Sequence, residues 1–71
     1  MSDSIRLHRK LYTHPSVEAA KTAYKDLAVI SIETEGEYYV LTFEEIDPDV
    51  EEMILAEFAN YALAETIEER H

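Results

Sequence analysis

Apolar and polar residues change their spacing several times along this chain. In SIRLHRKLYT, residues 4–13, Ile5, Leu7 and Leu11 alternate with Arg6, His8, Lys10 and Tyr12. A period of two predicts a half-buried strand, with Arg9 the exception on its inner face. From His14 to Leu27 the period becomes helical. Val17, Ala20, Tyr24 and Leu27 share one side, Lys21 and Lys25 the other. Pro15 suits the first turn of that helix, where a missing N–H costs nothing.

AVISIETEGEYYVLTFEEI then reads as two strands around a tight turn at Glu35-Gly36, with glycine supplying the positive φ. Ala28, Ile30 and Ile32 line one face of the first strand, and Tyr39, Leu41 and Phe43 one face of the second. Tyr38 and Val40 make that second strand apolar on its other face too, which places it centrally in the sheet. DPDVEE predicts a helix start, with Asp47 as N-cap, Pro48 in the first position and acids facing the positive end of the dipole. Continued to Glu69, that helix would be about 33 Å long.

The expected fold is therefore a single α+β domain over residues 1–71, of order β-α-β-β-α. Its three-stranded sheet takes the order 1-3-2, with 1-2-3 as the alternative, and two helices cover one face. The expected core is Ile5, Leu7, Leu11, Val17, Ala20, Tyr24, Leu27, Ile30, Ile32, Leu41, Phe43, Val50, Ile54 and Phe58. The other sheet face stays open. It would present Arg6, His8, Lys10, Tyr12, Tyr38 and Val40 to a protein or peptide, with Glu33 and Glu44 as the partners of the basic stems.

Composition adds three constraints. At 71 residues the core is small, supplying roughly 3–5 kcal/mol, and with no cysteine there is no disulfide to reinforce it. Association with another chain is the remaining reinforcement. Sixteen acidic residues against six basic ones give a formal net charge of −10, which opposes binding to nucleic acid or to an anionic membrane surface. The charge is uneven: residues 1–27 carry +2 and residues 28–71 carry −12. MSDSIRLHRK holds no apolar run long enough for a signal peptide or a membrane span, so the cytoplasm is the expected location.

The residue inventory points away from catalysis, and neither metal nor cofactor is expected. There is no cysteine nucleophile, and EGE cannot cradle a phosphate between its two carboxylates. Ser2, Ser4, Ser16 and Ser31 lie outside any nucleophile-elbow pattern. His8 and His14 read as a solvated strand residue and a pre-proline cap rather than metal ligands. The acidic run from Glu44 to Glu52 lacks both the alternation and the glycine of a calcium loop. Glu57 and Glu65 read as solvated. A small metal-dependent enzyme and a single-stranded RNA-binding module, the latter using Arg6, His8, Lys10 and the tyrosines, are the alternatives.

The last helix has apolar residues on two sides. Val50, Ile54, Phe58 and Tyr61 form the stripe expected to dock on the sheet. Met53, Ala56, Asn60, Leu63 and Ile67 form a second stripe, turned away by about 100° or more. Leu63 and Ile67 are expected to overrun the sheet. Met53, Asn60, Leu63 and Ile67 are thus the expected partner-binding residues, serving a weak homodimer or another protein.

The same helix carries a resemblance. Glu57-Phe58-x-Asn60-x-x-Leu63-x-x-x-Ile67 resembles the closing helix of the HxsD family, and AAKTAYKDLAVISIE resembles that family's helix-then-strand region. Glu68 stands where the family pattern has a basic residue. The resemblance implies a small bacterial accessory protein without catalytic residues, found beside radical-SAM enzymes and a His-Xaa-Ser repeat peptide in a peptide-modification system.

Overall fold

The computed structural model describes residues 3–69. Its elements run β1 (Asp3–His8), α1 (His14–Tyr24), β2 (Val29–Glu35), β3 (Tyr38–Glu44) and α2 (Ile54–Glu69). β3 lies between the other two strands and is antiparallel to both, giving the sheet order β1-β3-β2. The α+β class, the element order and the central place of β3 match the expectation from the sequence pattern.

The inner sheet face is built by cross-strand rows that the register fixes. Ile5 stands opposite Leu41, Leu7 opposite Tyr39, Ile30 opposite Phe43 and Ile32 opposite Leu41. Phe43 and Phe58 meet edge to face at 5.1 Å, and both are fully buried. This pair joins the sheet to α2. Val17 and Ala20 bring in α1, and Ala28, Ile54 and Ala62 complete the buried set. Deleting so large a buried side chain costs about 3–5 kcal/mol, so this contact decides whether the layers hold together.

The two helices run antiparallel. The start of α1 meets the end of α2, where Thr13 N–H donates to Thr66 Oγ1 at 3.3 Å. At the other end Tyr24 packs edge to face on Tyr61 at 5.8 Å, and its hydroxyl reaches the Glu57 carbonyl at 3.5 Å. Burial, with the Glu57 charge and Tyr61 adding to it, raises the Tyr24 phenol above its ordinary value.

Several local expectations are corrected. β1 ends at His8 rather than Thr13, because the His8 carbonyl accepts both Leu11 N–H and Tyr12 N–H and so turns the chain. That turn throws Leu11 outward, 60% exposed instead of in the core, and brings Tyr12 inward against it. The cap of α1 is Thr13, whose hydroxyl accepts from Ser16 N–H; His14 is already helical. That helix stops at Tyr24, before Leu27.

The hairpin turn is Gly36-Glu37, one residue later than expected, since Glu35 pairs with Tyr38. Gly36 has φ +60°, the conformation that favours glycine at the first position of a two-residue loop. α2 begins at Ile54, not at Pro48. Asp47 does cap, but it caps a turn: its carboxylate accepts Asp49 N–H at 2.9 Å, while its carbonyl accepts Val50 N–H. Local bonds of this kind compete with helix formation, and the 16 residues that remain span about 24 Å.

Candidate functional site

Two surfaces carry the residues singled out by the sequence. The first is the open face of the sheet. There the register sets His8, Tyr38 and Glu35 in one row, and Arg6, Val40 and Glu33 in the next. Each row runs from a basic or imidazole group on β1, over an aromatic or aliphatic centre on β3, to a carboxylate on β2.

The long side chains close over this centre. Arg6 places its guanidinium 5.3 Å from the Tyr38 ring centroid and donates to Glu35 Oε1 at 3.1 Å. The His8 ring lies edge-on to Tyr38 at 5.0 Å, with its Nε2 at 3.6 Å from Glu37 Oε2. The acids that meet the basic stems are therefore Glu35 and Glu37, not Glu33 and Glu44. The Arg6–Glu35 pair is largely solvated and so contributes little to stability. Arg6 lies over the Tyr38 ring, which remains 38% exposed.

Of the six residues expected on this face, four are there: Arg6, His8, Tyr38 and Val40. Lys10 and Tyr12 lie in the turn after β1, where Lys10 N–H donates to His8 Nδ1. Arg9 takes the inner side, as its parity predicts. Its guanidinium sits 5.8 Å from the Tyr39 ring and donates to the Gly36 carbonyl, so it ties the β1 end to the hairpin.

The second surface is the outer face of α2. Ile54, Phe58, Ala62 and Thr66 are its buried line, each four residues from the last. Met53, just before the helix, is 50% exposed, Leu63 40% and Ile67 53%. Ala56 and Asn60 lie exposed between them. The expected second stripe is thus real and uncovered. The reason differs from the one expected. α2 does not overrun its support, since Thr66 and Glu69 pack on the start of α1; Leu63 and Ile67 are exposed because they point the other way. Tyr61, expected on the docking stripe, lies at its edge against Tyr24.

Sequence reasoning missed a polar cluster where the helices meet. Thr13 Oγ1 and Ser16 Oγ lie 2.7 Å and 2.9 Å from Glu69 Oε2, with Ser16 and Thr66 each 1% exposed. Thr66 Oγ1 donates to the Ala62 carbonyl. The one readable signal was Thr13 directly before His14-Pro15, a favoured cap position.

Among the described residues no three His, Cys, Asp or Glu side chains gather in a metal-binding group. No described helix is long and apolar enough to cross a membrane. Comparison with family models, curated proteins and solved structures gives no match to this chain.

Proposed function

We propose that this chain is a non-catalytic accessory protein that holds a protein or peptide partner on the outer face of α2, in the cytoplasm of a bacterium. The observation that carries this reading is the exposed line Met53, Leu63 and Ile67 on a helix whose opposite side is fully packed. Burying a Leu or Ile side chain is worth about 1.5–3 kcal/mol, so a partner covering this line gains substantially. The sheet face is less suited to the role, because Arg6 lies over Tyr38 and pairs with Glu35, and an apolar partner there would displace charged groups.

The resemblance of the α2 sequence to the HxsD family adds a setting: a peptide-modification system built around a radical-SAM enzyme, with this chain supplying binding rather than chemistry. Co-expression of the tagged chain with the products of the genes beside its own tests the reading. A neighbour, a radical-SAM enzyme in the HxsD-like setting, is retained by the wild-type chain and lost from the Leu63→Ser/Ile67→Ser variant. Equal retention by that folded variant overturns it.

A further inference from the structure

The charge around the exposed stripe specifies what kind of partner fits it. α2 contains no Lys or Arg among its described residues, Ile54 to Glu69. Glu57 and Glu68 are exposed, and neither makes an ion pair among the described residues. Eleven residues apart, they fall on almost one line of the helix, about 16 Å from end to end. That line borders the apolar stripe, with the small Ala64 between.

A second copy of this chain is a poor occupant. A two-fold axis through the stripe would bring acidic rims together, and like charges in contact oppose association. Of the basic residues that could offset this, two of the arginines are engaged elsewhere. Arg6 is paired with Glu35 on the open sheet face, and Arg9 is bound to the Gly36 carbonyl at the hairpin.

Resting on the reading of this face as a docking surface, we propose that its occupant is a basic amphipathic helix of another protein. Such a helix lays apolar side chains spaced three and four apart on Leu63, Ile67 and Met53. Lys or Arg residues along one flank, repeating at the same helical spacing, face Glu57 and Glu68. The apolar contact supplies the grip, and the acidic rim sets partner choice and orientation.

The test uses the full chain, isotope-labelled, and three synthetic sixteen-residue helical peptides, matched to the 16 residues of α2. All carry leucines at helical spacing; the flank is Lys in one, Gln in the second and Glu in the third. The Lys peptide is expected to shift the amide signals of the outer α2 face. Its affinity falls by at least about tenfold in Glu57→Gln/Glu68→Gln, and again in Leu63→Ser/Ile67→Ser. Added salt weakens it, and the Glu peptide does not bind.

Equal binding of the Gln peptide overturns the basic partner while leaving the docking surface standing. Undiminished binding of the Lys peptide to Leu63→Ser/Ile67→Ser overturns both, because attraction is then charge alone. If no peptide shifts α2, the proposal falls; a wild-type dimer in sedimentation, lost in the same variant, then identifies a second copy as the occupant.

Discussion

Thr13 and Glu69, 56 positions apart, meet at 2.7 Å through a hydroxyl and a carboxylate oxygen. The contact lies at the first turn of α1, where unsatisfied N–H groups and the positive end of the dipole favour a negative charge. The same Thr13 oxygen accepts Ser16 N–H, so one side chain both caps α1 and fastens the last turn of α2 to it. Thr13→Ala should therefore cost roughly 1–2 kcal/mol, at the upper end of the range for a lost cap. Thr13→Ser should restore most of it. Urea unfolding monitored by circular dichroism reads both, as midpoint shifts at constant slope.

The outer and inner lines of α2 should respond oppositely to truncation. Leu63→Ser/Ile67→Ser removes side chains that are 40% and 53% exposed and outside the buried line of α2, and should move stability by about 0.5 kcal/mol per site. Phe58→Ala removes a fully buried ring from its contact with Phe43 and should cost about 3–5 kcal/mol, the whole margin of a core this small. Thermal melts should show a near-native transition for the first variant and none for the second. An unfolded double variant would place Leu63 and Ile67 in the monomer's own core.

Two of the described residues have positive φ, and they predict changes of opposite sign. Gly36 has φ +60°, and a Cβ added there would meet nothing within 4 Å. Gly36→Ala should still cost about 1 kcal/mol, from backbone conformation and not from collision. Glu45 holds φ +50° with a side chain that disfavours it. Glu45→Gly should stabilise by up to about 1 kcal/mol. Glu45→Gln, which removes the charge but keeps the Cβ, separates backbone strain from charge in the same unfolding assay.

Tyr24 predicts an alkaline dependence. Its phenol is raised above the ordinary 10.0 first by burial and then by Glu57 and Tyr61, so the folded chain holds the proton more tightly than the unfolded one. Stability from this group is complete below pH 10.0 and falls as pH rises from there through the raised folded value. The fall in urea midpoint above pH 10 should be steeper in wild type than in Tyr24→Phe. Equal slopes would mean the phenol titrates alike in both states.

The fold was legible in the sequence because β1 alternates with a period of two and β3 is apolar on both faces. What escaped prediction lay where local hydrogen bonds overrode the period. Leu11 keeps the parity of Ile5 and Leu7, yet the double acceptance at the His8 carbonyl turns the chain before Leu11 can use it. Asp47-Pro48 carries every mark of a helix start, but its first bonds close turns instead, and the helix waits for Ile54. The exposure of Met53, Leu63 and Ile67 could be read from helical spacing alone. The Thr13–Ser16–Glu69 cluster could not, since nothing in a linear pattern says which carboxylate will reach which helix.

The place of β3 in the sheet constrains how the chain can fold during synthesis. Among the described residues β1 and β2 each pair with β3 alone, and β3 is the last of these three to emerge from the ribosome. Until Glu44 is available, the first strand has no sheet to join, and its apolar face must wait beside α1. The β2–β3 hairpin closes over a two-residue loop and can form early, whereas β1 must be recruited across some thirty intervening residues. Completion waits longer still, for Phe58 to cover Phe43 and for Glu69 to reach Thr13. The core thus closes after the hairpin has formed, and a nascent chain stopped inside α2 would be left with its central strand uncovered.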